Sequence, residues 1–294
     1  MTILVAHGPD ARGPGGLYLG RQVAHSLDEP LVVCCAIYNR WQLPGLSRGD
    51  DDYSRGLSGL ADQARLEVRE VLGDEVDFVV RTGRSVASVL LDEAAAQSAR
   101  VLVCGSAANG PWGHIAAGSV TDRLLHSSEV PIALAPRGYR VAPDMKVTRV
   151  TVATNDTESA AGVLLSTARV THALGADLRV VTFAVRGRTM YPPRAGLHIE
   201  DAIIDAWKKQ ARERQEAAVH DLAGFDDVSS PSEVLMADGR DWYEALDGIG
   251  WLDGEVLAVG SSRMAPLTRV FVGSTAARII RNSPVPVIVI PRSD

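Results

Sequence analysis

Two glycine-serine pairs occur twice in the chain at one spacing, and the chemistry they favour is the binding of an anion. The pairs are Gly105-Ser106 and Gly118-Ser119-Val120 in the first half, and Gly260-Ser261 and Gly273-Ser274-Thr275 in the second. Glycine lets the backbone approach a ligand closely. Ser119 and Ser274 each stand where a helix is expected to begin, as caps whose neighbouring amides and helix dipole attract negative charge. The pattern predicts a phosphate site in each half.

A single glycine-serine helix start is weak support for such a site, because many helices begin this way and bind nothing. Here each pair follows an apolar run that reads as a strand, the irregular stretch between the pairs has a fixed length, and the whole unit is repeated. The joint occurrence favours phosphate binding over simple capping.

The repeated unit belongs to a longer internal duplication. Residues 101–137 align with residues 256–292 at a constant offset of 155 without a gap, and 13 of the 37 aligned pairs are identical. A period near half the chain length is too long for a solenoid repeat and indicates two copies of one globular domain. We predict a first copy at residues 1–137, a linker at 138–146 and a second copy at 147–294.

Each copy alternates short β-rich apolar runs with longer segments of helical period. This order of five strands and four helices predicts an α/β fold, with two tandem, open, doubly wound domains, each a five-stranded parallel sheet flanked by helices. Ligands of such sheets bind outside the carboxyl ends of the strands, which is where Gly8, Gly105, Asn155 and Gly260 are expected. Two irregular insertions, at residues 39–56 and 186–196, are predicted to be mobile loops.

Composition excludes several classes of protein. The net charge is −6 and no block of Lys and Arg occurs, so a nucleic-acid partner is not expected. The chain begins without a signal-peptide pattern and has no apolar run of membrane-spanning length, which predicts a cytoplasmic protein with no membrane partner. The cysteines Cys34, Cys35 and Cys104 lie in apolar runs and are expected to be buried thiols.

No set of residues has the spacing of a catalytic or metal site. His7 and His114 stand alone in the sequence, without a second ligand at metal spacing or a partner in a known triad motif. Three consecutive acids, Asp50 to Asp52, are expected to be solvated in a loop rather than to bind a metal. No general base is evident, so any turnover of a bound ligand is expected to be slow.

The chain resembles the universal stress protein family in its tandem, actinobacterial form. That family's signature is G-x2-G-x9-G-[ST], and here the two copies have Gly105-x2-Ala108-x9-Gly118-Ser119 and Gly260-x2-Arg263-x9-Gly273-Ser274. The outer elements match in both copies, while the middle glycine is replaced in both. The resemblance covers essentially the whole chain and implies an adenine-nucleotide alpha-hydrolase-like fold.

The resemblance also implies a ligand, which is ATP, alone or with Mg²⁺. The family's first strand usually ends in an aspartate that contacts the nucleoside, and that position holds Gly8 in the first copy and Asn155 in the second. The adenine-side positions are Ala36 and Phe183. Arg263 could pair with a phosphate or could fill the site, and the Asn155 carbonyl could still accept one hydrogen bond.

Two functions remain open at this point. The first is a regulatory stress-response protein that binds an adenine nucleotide in one or both clefts and acts through a protein partner. The second is an interaction scaffold whose clefts no longer bind a nucleotide. In either case the final strands, VPIALAP and VPVIVIP, resemble the family's dimer-forming edge. They predict a pseudo-twofold pair within the chain, and a further homodimer is possible.

Overall fold

The computed structural model describes residues 1–8, 13–39, 50–154, 159–185, 197–261, 270 and 272–291. The first copy contains β1 (Thr2–Ala6), α1 (Gly15–Leu27), β2 (Leu31–Tyr38), α2 (Asp50–Leu72), β3 (Asp77–Gly83), α3 (Val86–Ala96), β4 (Ala99–Gly105), α4 (Ser119–Leu124) and β5 (Ile132–Ala135). The second copy contains β6 (Arg149–Thr154), α5 (Ser159–Leu174), β7 (Asp177–Val185), α6 (Leu197–Leu222), β8 (Pro231–Gly239), α7 (Trp242–Asp247), β9 (Val256–Gly260), α8 (Ser274–Asn282) and β10 (Val287–Ile290). The element order is the same in both copies, as predicted.

The strands of both copies form one continuous ten-stranded sheet in the order β3-β2-β1-β4-β5-β10-β9-β6-β7-β8. Within each copy neighbouring strands are parallel, which confirms the predicted doubly wound arrangement. The two halves of the sheet meet at an antiparallel pair in which Ile288 lies opposite Ala133. The expectation that the last strands pack against each other is therefore confirmed, and the two five-stranded sheets are joined edge to edge. The exact domain boundaries remain a prediction.

Two apolar layers cover the sheet, one on each face, and both extend across the junction between the copies. One layer contains Ile3 and Val5 of β1 with residues of α1, α2, α5 and α6. The other contains Leu4 of β1 with residues of α3, α4, α7 and α8. Successive strand residues point to opposite faces, so alternate residues of one strand belong to different layers. Each layer draws residues from both copies, so the copies share their core.

The segment between the copies is held against α1. Gln22 is buried, and its amide nitrogen donates to the carbonyls of Lys146 at 3.2 Å and Gly254 at 3.1 Å. Its amide oxygen accepts a hydrogen bond of 2.6 Å from the Tyr139 hydroxyl. One buried side chain thus joins the first copy, the predicted linker and the second copy.

One predicted loop is shorter than expected. The sequence predicted a loop over residues 39–56, but α2 begins at Asp50 and includes the three consecutive acids, so the loop assignment is wrong for residues 50–56. A run of acids in sequence is compatible with a helix start as well as with a loop, because helix N-termini favour acidic residues in general. The other predicted loop, at residues 186–196, lies outside the described residues.

A buried polar network crosses three strands of the second copy. Arg179 of β7 and Glu255, just before β9, are each about 1% exposed, and an Arg179 nitrogen lies 2.6 Å from a Glu255 carboxylate oxygen. Arg149 binds the other oxygen at 2.7 Å, and the Thr151 hydroxyl donates to Glu255 while accepting from Arg179. Burial lowers the pKa of Arg179, and Glu255 opposes that effect. The carboxylate therefore compensates two guanidinium groups at once.

The substitution Glu255→Gln is expected to destabilise the chain strongly. It leaves Arg179 and Arg149 beside a neutral amide, and breaking a buried ion pair by removing one partner typically costs about 3–5 kcal/mol. Urea unfolding followed by circular dichroism measures the loss. Glu244→Gln is the matched control, because Glu244 pairs with Arg240 at the exposed start of α7 and its loss should change the midpoint little. Equal midpoints for the two variants would contradict the role of the network.

Candidate functional site

A cavity of about 120 Å³ lies in the first copy at the carboxyl ends of β1 and β4, and we call it the first cleft. Its walls come from two neighbouring strand ends, from β2 and from the first turns of α1, α3 and α4. The lining residues are Ala6, His7, Gly8, Gly13, Gly16, Cys34, Ala36, Val86, Leu90, Cys104, Gly105, Val120 and Thr121. This is the edge at which ligands bind doubly wound sheets. Gly8, Ala36, Gly105 and Val120, singled out from the sequence, come together here.

The floor of the first cleft depends on a close crossing of α1 over β4. A Cβ added to Gly16 would lie 2.9 Å from the Gly105 backbone nitrogen, a distance that real Cβ atoms essentially never show. Only glycine at position 16 lets the helix backbone lie this close to the strand. Gly16 therefore serves the approach of helix and strand at the cleft.

The helix α4 begins at the cleft without a side-chain cap. The sequence predicted Ser119 as the capping residue, but Gly118 occupies the N-cap position and makes no side-chain hydrogen bond, and Ser119 is the first helical residue. In the second copy Gly273 is likewise the N-cap of α8, and Ser274 is the first helical residue. Glycine has no side chain with which to cap, so the first amides of both helices lack a side-chain acceptor at the N-cap.

The loop between Gly105 and Gly118 is closed by its own hydrogen bonds. The buried Ser106 hydroxyl accepts from the Ala116 amide at 2.9 Å, and the Ala107 amide donates to the Ala116 carbonyl at 2.8 Å. Arg137, after β5, donates to the Gly110 carbonyl at 2.6 Å. Ala108, at the position of the family's middle glycine, has no positive φ. The loop therefore accommodates a side chain at this position without backbone strain.

One polar pair of the first cleft was missed by the sequence analysis. His7, at the cleft wall, is about 8% exposed, and its Nε2 lies 3.0 Å from a Glu67 carboxylate oxygen on α2. The sequence does not indicate this partner for His7, because Glu67 lies 60 residues away among several acids of an amphipathic helix. The pair adds a hydrogen-bonded polar group to a cleft that is lined mainly by small and apolar residues.

Two thiols lie in the wall of the first cleft. Cys34 and Cys104 both lie opposite Ala6, one on each neighbouring strand. Adjacent strands are about 4.8 Å apart, so the two residues are about twice that distance apart, too far for a disulfide. Burial, with a smaller contribution from Glu93, raises the pKa of Cys34 to about 12. The sequence prediction of buried thiols is confirmed for all three cysteines.

The second copy has different residues at the corresponding sheet edge, which we call the second cleft. Phe183 of β7 is partly buried, and its ring centroid lies 5.6 Å from that of Trp242, the first residue of α7. Val163 of α5 packs against the Cα of Gly260. Gly273, Ser274 and Thr275 form the start of α8 as expected, whereas Asn155 and Arg263 lie outside the described residues.

Comparison with known proteins fits this duplicated architecture. The chain matches the universal stress protein family twice, over residues 1–136 and again over residues 146–291. The chain belongs to the universal stress protein family. Two relatives, universal stress protein Mb2346c of Mycobacterium bovis and universal stress protein Rv2319c of Mycobacterium tuberculosis, are each 40% identical over 297 residues. Each alignment covers 99% of this chain and 100% of the relative, so the tandem arrangement is common to all three.

Solved structures support the same fold for this universal stress protein. A universal stress protein from Archaeoglobus fulgidus aligns with a TM-score of 0.58 at 17% identity, covering 99% of this chain and 98% of that one. A functionally unknown protein, PA1789 from Pseudomonas aeruginosa, aligns with a TM-score of 0.58 at 17% identity, covering 99% and 92%. Among the described residues, no helix has both the length and the apolar character needed to cross a membrane.

The raised pKa of Cys34 predicts an unusual pH dependence of alkylation. A thiol with an ordinary pKa of 9.0 approaches full ionisation by pH 10, whereas the Cys34 thiolate fraction should still rise about tenfold per pH unit, because its pKa is about 12. The alkylation rate of Cys34 by iodoacetamide, followed by mass spectrometry in a Cys35→Ala, Cys104→Ala background, should rise about 100-fold from pH 8 to pH 10. The same protein unfolded in urea is the control. A folded-state rate that levels off near pH 9 would disprove the assignment.

Proposed function

We propose that this universal stress protein is a regulatory protein that binds an adenine nucleotide, with ATP as the expected ligand, in one or both of its clefts. In this proposal the bound nucleotide changes the conformation or the surface of the chain, and a protein partner responds. The function is one of binding rather than rapid chemistry.

The observation that carries the proposal is the first cleft itself. It lies at the sheet edge where nucleotides bind in doubly wound folds, and its floor is the close crossing of Gly16 over Gly105. The start of α4 faces the same cavity through Val120 and Thr121, and its N-cap is a glycine. Small residues and a helix start meet at this concave wall, which supports the binding of a phosphate group there.

The proposed contacts follow from that geometry. The backbone amides of Gly118, Ser119 and Val120 would bind phosphate oxygens, and the glycine crossing would let the ligand approach the backbone. The base would lie against Ala36. In the second copy, the corresponding residues are Gly260 and Gly273 to Thr275 for the phosphates, with Asn155, Phe183 and Arg263 nearby in sequence position.

Rapid hydrolysis of the nucleotide is not part of the proposal. Among the residues that the structure describes, no group of three or more His, Cys, Asp or Glu side chains could hold a metal ion. In this proposal any Mg²⁺ is bound mainly by the nucleotide phosphates. The alternative function, an interaction scaffold with degenerate clefts, is favoured by one observation, the contact between the Phe183 and Trp242 rings in the second cleft.

Binding of ATP should raise the thermal midpoint of the chain. A ligand that binds only the folded state stabilises it by RT ln(1 + [L]/Kd), which is about 2.7 kcal/mol at a hundredfold excess over Kd. Differential scanning fluorimetry with ATP up to millimolar concentration tests this. Guanosine triphosphate at the same concentration is the comparison for the base. A midpoint that does not respond to ATP would contradict nucleotide binding and favour the scaffold.

The phosphate position can be tested at Val120, which lines the first cleft. The substitution Val120→Glu places a negative charge beside the proposed phosphates, and charges a few ångströms apart near a protein surface repel by a few kcal/mol. We expect the Kd for ATP to rise at least tenfold. The matched control is Val120→Gln, which has nearly the same size without the charge and should bind much closer to the unsubstituted protein. Equal affinities in the two variants would place the phosphates elsewhere.

A further inference from the structure

We infer that the chain holds only one nucleotide, in the first copy, because the second cleft is closed by the ring pair of Phe183 and Trp242. The inference rests on the proposed function for the identity of the ligand. The closure of the second cleft can be tested without any nucleotide. Two equivalent pairs of residues decide which cleft is open. They are Ala36 with Val86 in the first copy and Phe183 with Trp242 in the second.

The register of the strands shows that these positions correspond. In the first copy Ala6 of the first strand pairs with Cys34, and Ala36 lies two residues further along β2. In the second copy Ala153 of the first strand pairs with Val181, and Phe183 lies two residues further along β7. Two residues further on, Tyr38 pairs with Gly83 and Val185 pairs with Gly239. The two glycines end the third strand of their copies.

The helices that follow these glycines correspond as well. Val86 and Trp242 are each the first residue of a helix whose N-cap side chain, Ser85 or Asp241, accepts a hydrogen bond from a backbone amide three residues later. Ala36 and Val86 both line the first cleft. The equivalent pair in the second copy is therefore a phenylalanine and a tryptophan at the walls of the second cleft.

The geometry of the rings indicates closure rather than a platform for a base. Their centroids are 5.6 Å apart, and the planes are tilted by 51°. This is a direct aromatic contact of the usual kind. A base inserted between two rings would need them parallel and about 7 Å apart, twice an ordinary carbon-carbon contact. Both side chains also pack on the core layer of α7 and α8.

A second difference between the copies lies on the other face of the sheet. In the first copy the backbone of α1 crosses Gly105 at Gly16, whereas in the second copy Val163 of α5 packs against Gly260. Gly16 and Val163 correspond because each precedes a leucine, Leu17 or Leu164, that is at most 1% exposed. Where the first copy has the backbone of Gly16 against the strand end, the second copy thus has the isopropyl side chain of Val163.

Nucleotide stoichiometry tests the inference directly. Isothermal titration with ATP should give one site per chain. The double variant Ala36→Phe, Val86→Trp, which copies the aromatic pair into the first cleft, should weaken binding at least 30-fold. The variant Phe183→Ala, Trp242→Val should bind ATP at the first site with a Kd within about threefold of that of the unsubstituted chain.

Photolabelling with 8-azido-ATP should mark the first copy alone in the unsubstituted chain and both copies once the rings are removed.

Three results would overturn the inference: two sites in the unsubstituted chain, loss of its site on removing the Phe183 and Trp242 rings, or labelling that stays in the first copy alone after their removal. The circular dichroism spectrum and thermal midpoint of each variant verify that it folds. If the double variant of the first cleft does not fold, Val86→Trp alone is used, with the same expected direction.

A thiol-accessibility measurement tests closure when no nucleotide is present. Val259 precedes Gly260 as Cys104 precedes Gly105, so Val259→Cys places a thiol at the position that lines the first cleft. Its reaction with methyl methanethiosulfonate, followed by peptide mass, should accelerate at least tenfold when Phe183→Ala and Trp242→Val are added, while Cys104 is unaffected. No acceleration would refute closure by the rings. Failure of the unsubstituted chain to bind ATP would instead refute the proposed function, and this measurement would still decide the state of the second cleft.

Discussion

Antiparallel hydrogen bonding between β5 and β10 is the constraint on which the arrangement of both copies depends. All four residues of β5 are buried, and three of the four in β10 are buried. Either strand left at a sheet edge would present an apolar ladder with unpaired backbone groups, which invites aggregation. Pairing them within one chain removes both edges. The remaining edge strands, β3 and β8, carry exposed polar residues such as Arg81 and Glu233, as edge strands usually do.

The same pairing separates the two clefts. Strands are parallel within each copy and antiparallel across the junction, so the carboxyl ends of the two sets of strands point in opposite directions along the sheet. Ligands bind at those ends. The clefts therefore lie at opposite ends of the strands and cannot share one ligand. Each was free to change without affecting the shape of the other, although their helices share the two apolar layers.

The sequence predicts the fold well because its signals are local or repeated. Alternation of apolar runs and helical segments placed the strands of both copies, and the resemblance of VPIALAP and VPVIVIP to the family's dimer-forming edge indicated the strands that meet at the junction. The prediction of a loop at the start of α2 was wrong, because a run of acids in a glycine-containing stretch resembles a solvated loop as much as a helix start. Ser119 was wrong as a cap for a related reason: one residue decides between N-cap and first helical position, and composition does not resolve that difference.

The site was only partly predictable, since its decisive contacts join residues far apart in the chain. Sequence position indicated Gly105, Gly118 and Phe183, and the family resemblance explained why they matter. The pairing of His7 with Glu67 depends on how α2 lies against the end of β1, and the contact of Phe183 with Trp242 depends on the register of β7 and β8. A pattern along one strand contains neither relation.

The difference between the clefts is also a difference in packing. An open cavity leaves its lining atoms without contacts on one side, which forfeits dispersion energy that a filled site would gain. The second copy gains those contacts from Phe183, Trp242 and Val163. It also buries the network around Glu255, a position that is occupied by Arg100 in the first copy. The first copy forgoes them with glycine, alanine and valine at the same places. The second copy fills its cleft with its own side chains, whereas the first copy leaves its cleft open. This difference is explained if a ligand supplies the missing contacts in the first cleft. Because both copies share one core, stabilisation of the first cleft by a ligand would extend to the whole chain.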